Sequence, residues 1–275
     1  MSCNRACGNG YCFLVFFLLT FFVVSSSLAS EDWHHSTGSP NSERYSQLNQ
    51  INKENIQNLE IDWNFNSGQF DDKNTVQTSP IFTGKFLINV TTSGYVVAID
   101  PLSGDSVWRT KLSPPVGRRG LTFDDLDKPL IYVATAEGIV SLDEDTGALS
   151  KIYKTGKSLL APILTTNQLT VATLNDGIKA FNRNSGEQIW HFSVKDKSEN
   201  HPKYAPRIWS GFSFDAELNV YYVVTGNPSG LIGIKRTKPD LSVSLIAVSG
   251  DTGELLWHYQ HIEHDLWDFD LVGPP

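Results

Sequence analysis

One eleven-residue pattern occurs four times in this chain, and it restricts the possible folds more than any other feature. The copies lie at residues 98–108, 141–151, 180–190 and 247–257, each with a glycine at its seventh position. These glycines are 43, 39 and 67 residues apart. A period near forty residues, in segments rich in Val, Ile, Thr and Phe, is typical of β-propeller blades rather than of helical solenoids.

Each copy has the local chemistry of a β-hairpin. An apolar stretch leads into Asp, Asn or Ser, and a Ser or Thr followed by Gly comes three residues later. The first side chain can bond back to the backbone, and glycine supplies the positive φ of a tight turn. Three copies end in Trp, whose large flat ring suits the gap between two sheets. A further hairpin is predicted before each of the first three copies, with tips at Ser93-Gly94, Glu137-Gly138 and Asp176-Gly177.

The pattern is similar to the tryptophan-docking repeat of the quinoprotein dehydrogenases that depend on pyrroloquinoline quinone (PQQ). The segment from Asp32-Trp33 through Arg44-Tyr45 to Trp63 is similar to the entry segment of that family. The resemblance implies an all-β fold, an eight-bladed β-propeller of four-stranded blades, with about half of the ring present here. We therefore expect residues 30–275 to form a partial propeller of about four blades in a truncated chain. The alternative is a natural short propeller.

Two features depart from a regular repeat. Lys151 stands where the other copies have the docking Trp, so we expect one inter-blade contact to be weaker. The longest spacing contains extra residues at 193–207 and 226–243. Loops on a rigid scaffold often carry function, although a simple surface elaboration explains the composition equally well.

The first 29 residues have the three-part organisation of a secretory signal peptide. Residues 1–11 carry one charge, Arg5, an apolar run follows at 12–24, and Ser27 and Ala29 are the small residues before a cleavage point. The alternative is a retained membrane anchor, but the run is shorter than the roughly 20 residues that a transmembrane helix needs. Together with the resemblance, this leader predicts a periplasmic protein, with association to the inner membrane as a further option.

Cysteine usage and charge exclude several classes of function. All three cysteines lie within residues 1–29, so residues 30–275 have no disulfide, cysteine metal site or cysteine nucleophile. The chain has 30 acidic and 22 basic side chains and a net charge of −8. An acidic chain of this kind is not expected to bind nucleic acid.

The segment after the fourth copy is dense in ionisable groups. Asp268 and Asp270 have a spacing that would place both carboxylates on one face of a strand. Such a pair suits a hard cation or a general base, although an Asp-rich turn has the same composition. A zinc site built from His258, His261 and His264 is disfavoured, because that spacing alternates faces on a strand.

The resemblance assigns roles to this segment. Trp267-Asp268-Phe269-Asp270 is similar to the family's Trp-Asp-aromatic-Asp motif. It implies that Asp268 is the base that takes the hydroxyl proton of the substrate. It also implies that Asp268, Asp270 and Asn227, in Thr-Gly-Asn-Pro, hold the metal ion, either Ca²⁺ or a lanthanide. A plain turn residue is the alternative at Asn227.

Two more positions match cofactor-binding residues of the family. Trp209, in Ile-Trp-Ser-Gly, matches the tryptophan that stacks under the quinone ring, with core packing as the alternative. Arg119, in Gly-Arg-Arg-Gly-Leu, matches the arginine that pairs with a PQQ carboxylate. A planar guanidinium with several donors suits that task.

Other positions differ from the family's pattern. Alcohol-oxidising members have a metal-binding glutamate in the third hairpin, where this chain has Asn175 and Asp176. The adjacent cysteines of methanol-oxidising members are replaced by Ser113-Pro114-Pro115. The resemblance therefore favours a glucose- or polyol-oxidising protein over a methanol-oxidising one.

The sequence thus predicts a PQQ-dependent oxidoreductase acting on an alcohol, polyol or aldose, with a quinone or cytochrome as electron acceptor. The 275-residue piece by itself is expected to be inactive, because much of the cofactor's surroundings would be missing. The alternative is a non-catalytic propeller that serves as a binding or assembly scaffold of the cell envelope. That alternative predicts the repeats but not Arg119, Trp209, Asn227 and the Asp268/Asp270 pair together.

Overall fold

Strands make up most of the computed structural model. It describes residues 33–68, 77–113, 115–155, 159–166, 169–174, 177–197, 206–228 and 241–275. The proposed signal peptide at residues 1–29, and Asn175 and Asp176, lie outside the described residues. Within them, helix is limited to a 3₁₀ turn at Ile56–Asn58 and α1 at Val194–Lys197, and neither could span a membrane.

The strands form four antiparallel sheets of four strands each, and each sheet is built in chain order. The first sheet contains β1 (Ile81–Phe82), β2 (Leu87–Val90), β3 (Tyr95–Ile99) and β4 (Ser106–Lys111). The second contains β5 (Val116–Asp124), β6 (Leu130–Thr135), β7 (Gly138–Asp143) and β8 (Leu149–Lys154). The third contains β9 (Leu159–Thr165), β10 (Leu169–Leu174), β11 (Gly177–Asn182) and β12 (Gln188–Ser193). The fourth contains β13 (Phe212–Asp215), β14 (Val220–Val224), β15 (Ser244–Ser249) and β16 (Leu255–Gln260).

These sheets are the predicted blades, and the all-β class is confirmed. The core lies between consecutive sheets. Ile88 and Val96 of the first sheet share one buried cluster with Leu121 and Ile131 of the second. A second cluster joins Phe181 of the third sheet to residues of the second sheet, and a third cluster joins the third and fourth sheets.

The repeat turns have the predicted chemistry. The side-chain oxygen of Asp100 accepts the backbone N–H groups of Leu102 and Ser103, at 2.7 and 3.0 Å. Asn182 accepts those of the two corresponding residues of its own turn, at 2.9 and 2.8 Å. All four repeat glycines have φ between 66° and 79°, a conformation that favours glycine.

Tryptophan docking joins one blade to the next. Each docked ring packs so closely on a repeat glycine that an added Cβ would lie within 2.7 Å of it: Trp63 on Gly104, Trp108 on Gly147, and Trp190 on Gly253. Each indole N–H also donates to a turn carbonyl: Trp63 to Pro101 at 3.1 Å, Trp108 to Glu144 at 2.7 Å, and Trp190 to Gly250 at 3.0 Å. The ring therefore fills the gap and satisfies a backbone acceptor in the neighbouring blade.

The contact predicted to be weaker at Lys151 is made by a different ring, which packs less closely on its glycine: an added Cβ at Gly186 would lie 3.6 Å from Tyr153. Tyr153 lies two residues further along β8, on the same face of the strand, and is 2% exposed. Its hydroxyl donates to the Arg183 carbonyl at 2.8 Å, which occupies the same turn position as the carbonyls that accept the tryptophan N–H groups. Tyr153 therefore replaces the missing Trp, a shift that a fixed repeat register could not predict.

The Arg183 side chain adds an ion pair between the second and third blades. Its guanidinium lies 2.5 Å from the carboxylate of Asp124, at the end of β5, and both side chains are buried. Each charge is thus compensated by the other, as burial requires.

The entry segment connects the first strands of three blades. Trp33 forms a β-bridge with Phe82 of β1, and His35 forms one with Thr122 of β5. Further along, the Pro40 carbonyl accepts the N–H of Phe214 in β13, at 3.1 Å. The segment therefore lies beside the first strands of the first, second and fourth blades.

Candidate functional site

Sheet topology brings three loops of the fourth blade to one edge. Strands β14 and β16 both pair antiparallel with β15, so they run in the same direction and end at the same edge. Strand β13 pairs antiparallel with β14 and therefore begins at that edge. The loops at 206–211, 225–228 and 261–275 consequently meet there, and they carry four of the five predicted site residues.

Asn227 is the centre of the resulting hydrogen-bond network. Its backbone N–H donates to Asp270 Oδ1 at 2.6 Å. Its side-chain N–H₂ group donates to Asp265 Oδ2 at 2.5 Å and to Asp268 Oδ1 at 3.2 Å. Asn227 is only 8% exposed, and its buried amide oxygen Oδ1 has no hydrogen-bond partner among the described residues. A buried acceptor without a partner is costly, so this oxygen is the atom best suited to bind a ligand.

The two predicted carboxylates reach Asn227, but not for the predicted reason. Strand β16 ends at Gln260, and Asp268 and Asp270 lie in the irregular segment that follows. Asp268 has φ = 70°, in the left-handed region that residues other than glycine adopt only at a cost. The prediction that both carboxylates share one strand face was therefore wrong. Of the three histidines, only His258 lies in the strand.

Trp209 is fixed at its edge by one of these carboxylates. Its indole N–H donates to Asp270 Oδ2 at 2.9 Å. Gly226 makes this close approach possible, because an added Cβ would lie 2.7 Å from Trp209 Nε1 and 2.8 Å from Asp270 Oδ2. Asp270 thus bonds Trp209 and the Asn227 backbone at the same time.

Arg119, from β5 of the second blade, approaches the other side of the same tryptophan. Its guanidinium lies 4.9 Å from the centre of the Trp209 ring, a cation–π distance. Nη1 donates to the Trp209 carbonyl at 2.9 Å, and Nε donates to Gln77 Oε1 at 3.0 Å. The two residues predicted to bind one cofactor are therefore neighbours, although they come from different blades.

A polar cavity of about 420 Å³ lies beside Arg119, and its lining does not include Trp209, Asn227, Asp268 or Asp270. Its lining combines two guanidinium groups with hydroxyl and amide groups: Arg44, Arg119, Gln77, Thr78, Ser79 and Ser210. Positive charge and many hydrogen-bond donors suit an anionic ligand rich in carboxylates.

The oxygen atoms around Asn227 suit a hard cation. Such ions bind carboxylate and amide oxygens, and both are present here: Asp268 Oδ1 contacts the Asn227 N–H₂ group and Asp270 Oδ1 contacts the Asn227 backbone N–H. Among the described residues, no three His, Cys, Asp or Glu side chains are grouped as metal ligands. A cation here would therefore rely on the asparagine oxygen in addition to the carboxylates.

Three residues of this arrangement were not predicted from the sequence. Asp265 was visible only as part of the His-Asp-Leu-Trp-Asp run, and its burial could not be inferred from that pattern. Gly226 precedes Asn227 in the motif but gave no sign of the close approach it permits. The hydrogen bond between Gln77 and Arg119 could not be predicted from a local pattern, because the two residues are 42 positions apart.

Comparison with protein families gives a match over nearly all of the described chain. A family model described as the PQQ glucose/ethanol/alcohol dehydrogenase β-propeller domain matches residues 33–158 and 155–275. Two overlapping matches in succession agree with the repeated blades.

Curated proteins with similar sequences are quinoprotein dehydrogenases. Quinoprotein glucose dehydrogenase A of Acinetobacter calcoaceticus is 24% identical over 90% of this chain and 40% of its own length. Quinohemoprotein alcohol dehydrogenase of Comamonas testosteroni is 26% identical over 92% of the chain and 42% of its own length. The lanthanide-dependent methanol dehydrogenase of Methylorubrum extorquens is 26% identical over 84% of the chain and 46% of its own length. The chain therefore spans less than half the length of each.

Solved structures agree on the fold. The crystal structure of the Comamonas testosteroni quinohemoprotein alcohol dehydrogenase superposes with a TM-score of 0.75 over 89% of this chain and 43% of that one, at 22% identity. A europium-containing methanol dehydrogenase superposes with a TM-score of 0.70 over 88% of this chain and 51% of that one, at 20% identity.

Proposed function

This chain belongs to the PQQ glucose/ethanol/alcohol dehydrogenase β-propeller family, and we propose that the complete protein is a PQQ-dependent oxidoreductase of an alcohol, polyol or aldose. The observation that carries the proposal is the buried Asn227 Oδ1, which has no hydrogen-bond partner among the described residues, although its residue belongs to the network that joins both carboxylates to Trp209 and Arg119. Burying a polar atom without a partner is unfavourable, and the scaffold alternative gives no reason for such an atom here.

In this proposal, Arg119 and Trp209 bind the cofactor. When bound, PQQ supplies the redox chemistry by accepting the hydride of the oxidised alcohol. The Arg119 guanidinium is already oriented by Gln77 and by the Trp209 carbonyl, so it can pair with a carboxylate at little further entropic cost. Trp209 is held at its N–H edge by Asp270, and Arg119 lies over one face of its ring, so the cofactor would stack on the other face.

Asn227, Asp268 and Asp270 hold the cation, with Ca²⁺ or a lanthanide as the candidates. Both oxygens of Asp270 accept protein hydrogen bonds, so its contribution uses the remaining lone pairs of a carboxylate. Asn227 Oδ1 is the neutral ligand, and the ion would satisfy its orphaned acceptor.

Asp268 is the proposed general base. Its side chain is exposed, unlike the buried Asp265, and Oδ1 is oriented by the Asn227 amide at 3.2 Å. A carboxylate held in one place and open to substrate can remove the hydroxyl proton while the carbon-bound hydrogen leaves as hydride.

The substrate and the surroundings of the protein follow from the same resemblance. Ser113-Pro114-Pro115 replaces the paired cysteines of methanol-oxidising members, and we infer a sugar or polyol as the better substrate. Electrons would pass to a quinone or a cytochrome in the periplasm, with the inner membrane as a site of association.

Reconstitution of the complete natural protein tests the proposal. The apoprotein receives PQQ with Ca²⁺ or La³⁺, and dye reduction is followed with a panel of alcohols and aldoses. We expect activity that needs both PQQ and cation, and loss of about 100-fold or more in Asp268→Asn. Asp62→Asn, at an exposed carboxylate outside the site, is the control and keeps full activity.

Two results would argue against the proposal. Full activity in Asp268→Asn would remove the assignment of the base. Failure of the apoprotein to bind PQQ would refute the enzyme and favour the scaffold.

A further inference from the structure

Asp265 is the most deeply buried carboxylate of the candidate site, at 4% exposure. Its carboxylate accepts hydrogen bonds from the Asn227 side chain at 2.5 Å, from Trp267 N at 2.8 Å and from Phe269 N at 2.5 Å. We propose that Asp265 is a positioning residue that sets the orientation of both the cation ligand Asn227 and the base Asp268. This inference rests on the proposed function.

The first effect of Asp265 concerns the amide of Asn227. An asparagine side chain can present either its oxygen or its N–H₂ group in a given direction. With the N–H₂ group directed at Asp265, the oxygen of the same amide points away from Asp265. The reversed orientation would bring Asn227 Oδ1 against Asp265 Oδ2, two acceptors at contact distance, and that arrangement is repulsive. The charge of Asp265 therefore determines that an oxygen, and not a nitrogen, is offered to the cation.

The second effect concerns the backbone around Asp268. The N–H groups of Trp267 and Phe269 lie on either side of Asp268, and both donate to the same carboxylate. These bonds hold the segment in a tight turn in which Asp268 has φ = 70°. A strained backbone angle of this kind persists only where surrounding contacts impose it. Asp265 supplies two of those contacts, and so it fixes where the Asp268 carboxylate lies.

A third effect is electrostatic. Asp265 is buried, and the three hydrogen bonds named above all come from protein donors. Its negative charge nevertheless lies directly behind the Asn227 amide. Partners that hydrogen-bond a ligand from behind orient it and strengthen its binding of the ion.

The substitution Asp265→Asn tests this assignment with little change of volume. The new side chain has one acceptor and one N–H₂ group where the carboxylate had two acceptors. At least one of its three contacts must then place a donor against a donor. The matched control is Asp215→Asn, since Asp215 also accepts two backbone N–H groups, from Glu217 and Leu218, each at 2.9 Å.

The first readout is Tb³⁺ binding to the complete apoprotein, followed by luminescence. We expect Asp265→Asn to weaken Tb³⁺ binding by about tenfold or more, and Asp215→Asn to leave it unchanged. The double variant Asp265→Asn/Asn227→Asp exchanges donor and acceptor across the pair, and it should recover part of the lost affinity. Unchanged affinity in Asp265→Asn would overturn the inference while leaving the proposed function intact.

The second readout does not depend on a bound ion. Hydrogen exchange of the Trp267 and Phe269 amides should be faster in Asp265→Asn than in the wild-type protein, and unchanged in Asp215→Asn. Equal exchange rates in Asp265→Asn and wild type would overturn the positioning role. If the wild-type protein binds neither Tb³⁺ nor PQQ, the proposed function fails, and the exchange rates still decide whether Asp265 holds the turn.

Discussion

At the scale of single residues, Asn227 connects every part of the candidate site. Its backbone binds Asp270, its side-chain N–H₂ group binds Asp265 and Asp268, and its oxygen remains available. Through Asp270 the same network reaches Trp209, and through Trp209 it reaches Arg119. Small displacements at any one of these residues should therefore affect both cofactor and cation binding.

Gly226→Ala is the most specific test of this packing. The added methyl group would lie 2.7 to 2.8 Å from Trp209 Nε1 and Asp270 Oδ2, so it must separate the two groups or displace the loop. Overpacking of this kind costs about 1–3 kcal/mol. We expect about tenfold or greater loss of affinity for PQQ, measured by titration of the apoprotein in the presence of Ca²⁺.

Gly273→Ala is the control for this change, because an added Cβ at Gly273 meets no atom within 4 Å. Its PQQ affinity should equal that of the wild-type protein. Equal affinities in Gly226→Ala and wild type would show that the Trp209–Asp270 contact is not needed for cofactor binding.

The motifs in the sequence predicted which residues form the site, but they did not predict the backbone geometry and contacts that bring these residues together. Five positions predicted from motifs lie together, although they come from two blades. The geometric argument for Asp268 and Asp270 failed, because alternation along a strand applies only while the backbone is extended. Asp265 could not be predicted, since the burial of a charged side chain depends on contacts between distant segments.

At the scale of elements, the repeat turn and the docked ring are one unit shared by two blades. The docking positions of Trp108 and Trp190 followed directly from the eleven-residue pattern, whereas Trp63 belongs to the entry segment. Tyr153 did not, because it fills the same gap from a position two residues later. The pattern specifies which face of the strand points into the gap, whereas packing determines which side chain on that face reaches the carbonyl.

Tyr153→Phe tests whether the hydroxyl of Tyr153 stabilises the contact between two blades as the docked indole N–H groups do. It removes the 2.8 Å bond from the hydroxyl to the Arg183 carbonyl and keeps the ring. The expected loss of unfolding free energy is about 0.5–1.5 kcal/mol, measured by urea denaturation of the complete protein. Tyr259→Phe, on the exposed face of β16, should change stability by less than about 0.5 kcal/mol. An equal effect of the two substitutions would contradict the docking role of Tyr153.

At the scale of the whole molecule, one histidine of the entry segment contributes to the pH dependence of stability. His35 lies in the bridge to β5. Burial, with a smaller contribution from the neighbouring His34, lowers the pKa of His35 from 6.5 to about 4. The unfolded chain therefore binds a proton at a higher pH than the folded one. The contribution of His35 to the free energy of unfolding is therefore complete above about pH 6.5 and is lost as the pH is lowered towards 4.

Urea denaturation of the complete protein at pH 7 and pH 4.5 measures this dependence. The wild-type protein should lose stability between the two values, and His35→Gln should lose less over the same interval. His261→Gln, at an exposed position, should behave as the wild-type protein does. Identical pH dependence in His35→Gln and wild type would exclude His35 as the source.

Among the described residues, the docking ring of the fourth blade contacts Tyr222 of its own blade, with 5.9 Å between the ring centres, and packs on no repeat glycine. Trp257 is 46% exposed, whereas Trp190, at the equivalent position of the third blade, is buried. The curated relatives discussed above are more than twice as long as the matched region. We expect a turn of a further blade to cover Trp257 in the complete protein, and the remaining walls of the cofactor site to come from the same part.

The central claim is that Asn227 Oδ1 and the Arg119–Trp209 pair form one binding site for a cation and PQQ. A crystal structure of the complete protein with PQQ and Ca²⁺ tests it most directly. We predict a cation about 2.3–2.6 Å from Asn227 Oδ1, a PQQ ring stacked on Trp209 and a PQQ carboxylate paired with Arg119. A cation bound elsewhere, with Asn227 Oδ1 still lacking a partner, would contradict the account.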